Sequence, residues 1–314
     1  MTTSWRKSVV VLIVLSMVAV AGFAAPKQPH FVFVTPLMAN PYWDVVENGW
    51  NAGGVKFGAQ VDYIGPTALS LDDMIKYMET SIAQKVDGIA TMALNAEALK
   101  KPIADARAAG IPVVLVDTDS PDSQRNAYAG TSNYAAGQSA GEYMAKITGG
   151  KATIAILTGR LDQPNLVARV DGFKAAIAKF PGMKVVDMQP DDSDLQKGIQ
   201  AAEAMLLGNP GINAMFGSEG FGAPALGKVV KEAGKAGAIK VVGFDDLPES
   251  VDYIKAGVVN GVVVQKQYVM GYRAVEYLTK LLKKQPVPSV TDTGVIMLTK
   301  DNAASYKNDT MKVN

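Results

Sequence analysis

The chain has 314 residues, of which 48% are apolar and 19% charged, and its formal net charge is +1. That balance suits a large α/β core of two ordinary domains and excludes a disordered chain or a strongly basic nucleic-acid binder. With no cysteine and one histidine, His30, disulfides are excluded, and little is left for zinc sites or histidine-based triads.

At the start, Trp5-Arg6-Lys7 supplies a short basic segment, Val9 to Val20 is almost wholly apolar, and small residues follow at Ala21-Gly22-Phe23-Ala24-Ala25. This pattern predicts a secretory signal peptide over residues 1–24, cleaved after Ala24. The apolar run is shorter than the roughly 20 residues that span a bilayer, and no stop-transfer charge cluster follows. Without a cysteine there is no thiol for lipid attachment. The expectation is a soluble, exported protein, most simply in a bacterial periplasm.

Beyond the leader, short β-branched runs alternate with longer amphipathic stretches. Strands are predicted at His30–Thr35, Gln60–Ile64, Gly88–Met92, Pro112–Val116, Ala152–Leu157, Lys184–Met188, Asn213–Phe216, Ile239–Phe244 and Val259–Val264. Asn40-Pro41 reads as a cap followed by a first-turn proline, and Ser70-Leu71-Asp72-Asp73 as a capping box. Continuously apolar strands separated by helices imply a parallel sheet covered on both faces. The βαβ order begins again after Tyr128–Gly130, so the fold class is α/β with two doubly wound, Rossmann-like lobes. Two buried strands, in the segments Ile111–Asp117 and Ile239–Asp245, each end on an aspartate. In such sheets ligands bind beyond the carboxyl ends of the strands, which places Asp117 and Asp245 at a candidate site. For either one alone, an N-cap is an equal reading.

Other motifs are weaker. Gly217-Ser-Glu-Gly220-Phe-Gly222 follows a strand and opens a helix, but its spacing is reversed relative to a dinucleotide fingerprint, so a plain strand-to-helix turn is favoured. Thr148-Gly149-Gly150-Lys151 lacks the first glycine of a P-loop and precedes a strand. Asn40-Pro41-Tyr42-Trp43 places an amide and two aromatics at a helix start, which suits a sugar or, equally, a hydrophobic staple. Arg169 lies in a helix whose apolar positions face the sheet, and its planar fork can grip two ligand oxygens or serve in a surface ion pair.

Five segments in order now resemble the periplasmic sugar-binding proteins of ABC transporters, close to the ribose-binding type. They are Thr35–Trp43, Ile111–Asp117, Ala168–Phe173, Val241–Asp245 and Gly261–Gln265. The resemblance implies two lobes joined by three crossovers near Thr131, Lys266 and Asp292. Residues 25–131 with 266–291 would form the first lobe, and 132–265 with 292–314 the second. It assigns Asn40, Tyr42 and Trp43 as an amide and stacking platform and Asp117 as a hydroxyl acceptor. Arg169 would grip ring and anomeric oxygens, Asp245 would act from the second lobe, and Gln265 would be a hinge glutamine touching ligand.

Three positions depart from the ribose-binding pattern: Thr118 replaces an arginine, Glu219 an asparagine and Ser193 an aromatic. Thr118 and Glu219 are counted with the candidate site. The exchange argues against ribose and for a ligand with more donors: a polyol, another aldose or an amine-bearing molecule. The resemblance implies binding without catalysis, cofactor or metal. Its partners would be a small carbohydrate and a membrane permease, and also a chemoreceptor, with the protein itself a monomer. A sensor feeding a membrane kinase, or an exported hydrolase using Asp117 with Asp245 or Glu219, is the alternative. A repressor is excluded, because a signal peptide occupies the place of its helix-turn-helix.

Overall fold

A computed structural model of the protein describes residues 28–306. The signal peptide predicted at 1–24 lies outside them. The described chain runs β1 (His30–Val34), α1 (Pro41–Phe57), β2 (Gln60–Ile64), α2 (Leu71–Ala83), β3 (Gly88–Thr91), α3 (Lys100–Ala108), β4 (Val113–Val116) and β5 (Ala127–Gly130). It continues through α4 (Asn133–Thr148), β6 (Lys151–Thr158), α5 (Pro164–Ile177), β7 (Gly182–Pro190), α6 (Leu195–Gly208), β8 (Ala214–Gly217), α7 (Gly222–Glu232), β9 (Lys240–Phe244) and α8 (Pro248–Lys255). The last elements are β10 (Gly261–Gln265), α9 (Gln267–Leu282), β11 (Val290–Asp292), β12 (Val295–Thr299) and the short α10 (Lys300–Ala303).

Among the described residues, twelve strands form two six-stranded sheets, ordered β11-β5-β4-β3-β1-β2 and β12-β10-β9-β8-β6-β7. Position by position, β4 corresponds to β9, β3 to β8 and β1 to β6. The first sheet is parallel throughout. In the second, β12 runs antiparallel to β10, from Gly261 opposite Thr299 to Gln265 opposite Val295. The chain passes from the first sheet to the second after Gly130, returns after Gln265, and crosses again between Asp292 and Val295.

Burial explains why several of the predicted strands could be read in advance. β3, β4, β8 and β10 are buried at every residue, and a strand covered on both faces reads as a continuous apolar run. Three strands were not predicted: β5, β11 and β12. β5 is only four residues with little β-branched character, Ala-Tyr-Ala-Gly. β11 is a three-residue edge strand with two exposed residues. Pairing within the sheet makes such segments strands, not their own pattern.

Aromatic packing anchors each core. Phe33 stacks on Tyr63 at 4.9 Å and meets Trp50 edge-on at 5.4 Å. Phe173 stacks on Phe216 at 4.1 Å. Trp50 is fully buried and donates its indole N–H to the Asp62 carbonyl at 3.2 Å. Burial of one such side chain contributes about 1.5–3 kcal/mol. His30 sits on β1 with its ring nitrogen 2.7 Å from the Asp62 carboxylate, toward the surface.

Two smaller expectations resolve here. Ser70 caps α2 by accepting the Asp73 N–H at 3.2 Å, but the Asp73 carboxylate pairs with Lys76 at 2.9 Å instead of completing a capping box. Gly149, at φ 61°, ends α4 in the left-handed conformation that glycine adopts without strain. The Thr148–Lys151 segment is therefore a helix stop before β6.

Candidate functional site

α1 begins on Asn40, whose side-chain oxygen accepts the Tyr42 N–H at 3.0 Å, with Pro41 in the first turn. The cap thus uses the Asn40 oxygen and leaves its amide nitrogen without a role in the helix start. The turn sends Tyr42 and Trp43 into the space between the lobes, edge to face at 5.2 Å. Tyr42 donates its hydroxyl to Asp117 Oδ1 at 2.6 Å, so this aromatic carries a polar task as well as a surface. Burial, then the charges of Asp117 and Asp245, hold its phenol well above its usual titration range. It therefore stays a donor.

Asp117 directly follows β4 in the left-handed conformation, φ 60°, and is 5% exposed. Its other oxygen accepts from the Thr118 hydroxyl at 2.7 Å, and its backbone carbonyl accepts from Tyr128 at the same distance. Thr118 is fully buried and is not among the residues lining the cleft. Its hydroxyl is spent on Asp117, so it orients that carboxylate from behind.

In the second lobe, Arg169 is 2% exposed. Its Nε donates to Asn133 Oδ1 at 2.8 Å and its Nη1 to the Ser218 carbonyl at 3.1 Å, while the guanidinium lies 4.4 Å from the Phe244 ring centre. Its Nη2 is buried without a partner. A buried donor left unpaired costs roughly 1–3 kcal/mol or more, a cost that an acceptor reaching this atom would relieve. Asn165, four residues earlier on the same helix, also lines the cleft. The i, i+4 spacing from Arg169 was the signal available for it. Asn133 carried no such signal, since it is 36 residues from Arg169 and meets it only through the packing of α4 on α5. That packing is close: a Cβ on Gly137 of α4 would lie 2.0 Å from the Arg169 carbonyl oxygen.

Asp245 follows β9, again left-handed at φ 62°, and is 4% exposed. Its Oδ1 accepts from Gln265 Nε2 at 3.0 Å, and Gln265 Oε1 accepts from the Thr131 hydroxyl at 2.8 Å. This relay runs from the cleft carboxylate to two crossover segments. Burial pushes the Asp245 carboxyl up to about 7, against the opposing pull of Arg169. Glu219 sits in the turn between Gly217 and Gly222, where its Oε1 accepts the Phe221 N–H at 2.9 Å. Burial, then the charges of Asp191 and Asp245, raise its carboxyl well above the usual range. The glycine cluster is indeed a strand-to-helix turn, and it delivers Glu219 and Gly220 to the cleft.

Together these groups border a cleft with a cavity of about 150 Å³. Asn40, Tyr42, Trp43, Asp117, Arg169, Glu219, Asp245 and Gln265 all line it, as does Ser193. The reading of the sequence had not singled out the apolar walls, which include Leu37, Met92 and Leu94 from one lobe and Leu166, Phe221 and Leu247 from the other. Few convergent polar groups between apolar walls suit a small polyhydroxylated ligand, whose C–H patches and hydroxyls need both.

Residues 31–286 match the periplasmic binding protein domain family. GanP, a glucose-galactose binding protein from Geobacillus stearothermophilus, is 35% identical with a TM-score of 0.86, over 88% of this chain and 99% of that one. An ABC transporter solute-binding protein from Burkholderia graminis, crystallised with D-arabinose, is 34% identical with a TM-score of 0.85, over 89% and 98%. The D-allose-binding periplasmic protein of Escherichia coli is 27% identical over 264 residues, 81% of this chain and 84% of its own length.

Proposed function

Because this chain belongs to the periplasmic binding protein family, we propose that it captures a monosaccharide or polyol by closing its two lobes and delivers it to an ABC transporter permease. The place of action is the periplasm. The observation that carries this reading is the unpartnered, buried Nη2 of Arg169 on a cleft shared with the carboxylates Asp117 and Asp245. Relatives that bind glucose and galactose, D-arabinose and D-allose support the ligand class.

In this reading Asp117 and Asp245 accept ligand hydroxyls from opposite lobes, Arg169 donates to a ring or anomeric oxygen, and Trp43 covers a C–H face. Charge-assisted bonds of this kind contribute about 1.5–3 kcal/mol each. They are complete only when both lobes touch the ligand, so the ligand draws the population toward the closed form. Periplasmic binding proteins are a standard example of such hinge closure. The lobes that move are residues 25–131 with 266–291 and residues 132–265 with 292–314. The relay Asp245–Gln265–Thr131 ties the second-lobe carboxylate to two of the three connections.

The test uses tryptophan emission. Residues 25–314 contain Trp43, on the cleft, and Trp50, buried on α1. Titration with pentoses, hexoses and polyols should give a saturable change for one ligand class, lost in Trp43→Phe and kept in Trp50→Phe. The sugar should be recovered unchanged. A flat response together with an unmoved melting temperature would sink the capture reading, and turnover of the sugar would favour the hydrolase.

A further inference from the structure

Behind the cleft, the two aspartates are joined by hydrogen bonds that meet at Thr131. From the second lobe they run from Asp245 to Gln265 to the Thr131 hydroxyl, at 3.0 and 2.8 Å. In the first lobe the counterpart of Gln265 is Tyr128. Its hydroxyl donates to the Asp117 carbonyl at 2.7 Å and faces the Thr131 carbonyl at 3.3 Å. Tyr128 lies on β5 beside β4 as Gln265 lies on β10 beside β9, so each aspartate is served from the neighbouring strand. All five residues are buried, and Tyr128 is not among those lining the cleft.

The fold makes room for this contact. Tyr128 pairs with Leu115 on β4, two residues before Asp117, so the phenol runs along the sheet to reach the Asp117 carbonyl. It passes over Gly130, the next residue on the same face of β5. A Cβ there would lie 2.2 Å from the phenol oxygen. Asp117 also needs support from outside its own turn. At φ 60° it is the centre of a tight turn in which the Thr118 N–H reaches the Val116 carbonyl at 2.6 Å. Three-residue turns with a positive φ are rare and strained. Burial, then the charge of Asp117, holds the phenol above its usual range, so its hydroxyl remains a donor.

We propose that Tyr128 is a positioning residue of the cleft: one hydroxyl fixes both the backbone of Asp117 and the first crossing between the lobes. A rotation of the lobes that moves Thr131 is then felt at Asp117 through Tyr128 and at Asp245 through Gln265. The third crossing is tied to the same place. The Ser132 N–H donates to Asp292 at 3.1 Å, and the Thr293 N–H to the Gly130 carbonyl at 2.8 Å. Ligand grip and hinge closure thereby share one set of bonds. The effect on ligand rests on the sugar-capture reading. The tie of Asp117 to the hinge stands on the unliganded protein alone.

The first experiment needs no ligand. In the wild type the Tyr128 hydroxyl proton should give a slowly exchanging resonance with through-space contacts to Gly130. In Tyr128→Phe, backbone hydrogen exchange should quicken by about tenfold at Thr118, Ser132 and Thr293, and stay within about twofold along β8. A hydroxyl in fast exchange with water would overturn the tie even if the variant failed to fold. Unchanged exchange at the three amides, or exchange quickened evenly through the first lobe, would overturn it as well.

The second experiment measures affinity by calorimetry for D-glucose, D-galactose, D-arabinose and D-allose, the sugars of the similar proteins. Tyr128→Phe should weaken the sugar that binds by about five- to tenfold. Combined with Asp117→Asn, the two losses should fall short of their product by at least about threefold, because both act through one side chain. Losses that multiply fully, or wild-type affinity in Tyr128→Phe, would overturn the positioning role. If none of the four sugars binds the wild type, capture of these sugars fails, and the exchange data still decide the tie.

Discussion

Asp117 and Asp245 are the same residue of two related lobes: each directly follows the corresponding strand, β4 or β9, and each holds a left-handed backbone, at φ 60° and 62°. A non-glycine side chain held there is strained unless it is Asn or Asp, whose short polar groups tolerate the region. The shared conformation turns both carboxylates to the same cleft. It also dictates how they should be tested.

Asp117→Asn and Asp245→Asn keep the backbone preference and remove the charge. Each is expected to weaken ligand binding by about 10- to 100-fold, the equivalent of one charge-assisted bond. Alanine at either position adds backbone strain and should also lower the melting temperature. Calorimetry beside thermal unfolding separates the two effects. Wild-type affinity in the Asn variants would remove these aspartates from ligand recognition.

Arg169→Lys keeps the charge but loses the planar fork that serves Asn133, the Ser218 carbonyl and the cleft at once. Binding should fall by at least about tenfold despite the retained cation. Asn133→Ala should produce a smaller loss of the same kind, because Asn133 acts through the arginine and not on the ligand. Equal losses in the two variants would argue that Asn133 itself reaches the ligand.

Gly137→Ala places a methyl against the Arg169 carbonyl, 2.0 Å from the unrelaxed position. Overpacking at such a contact costs about 1–3 kcal/mol. Chemical denaturation should report that loss. Ligand affinity should fall with it, because α5 can relieve the clash only by shifting the turn that carries Arg169. A stability loss with unchanged affinity would show that the helix absorbs the shift elsewhere.

Stability of the unliganded protein should fall as pH rises from about 4 to 7. Burial raises Asp245 to about 7 and Asp191 to about 6, so between the unfolded and folded values the native state binds more protons than the unfolded one. Unfolding free energy then decreases with pH. Melting curves at pH 5 and 7.5 test the sign, and Asp245→Asn should flatten part of the slope. A slope of opposite sign would place the controlling groups elsewhere.

Much of this protein was legible before folding. Strands buried on both faces read as apolar runs, and helix starts such as Asn40-Pro41 announce themselves by their capping chemistry. Asp117 and Asp245 were visible because each ends such a run. The position of Thr118 beside Asp117 is equally local, but the bond its hydroxyl gives that carboxylate is a matter of how the turn folds.

The sequence by itself determined nine of the twelve described strands, their order and the residues at their carboxyl ends, because hydrophobic period and caps act over a few neighbours. Only the tertiary structure decided the pairings. Tyr42 meets Asp117 across 75 residues, Arg169 meets Asn133 across 36, and Thr131 meets Gln265 across 134. Such contacts follow from sheet order and from how closely one helix can approach another, and no local pattern encodes either.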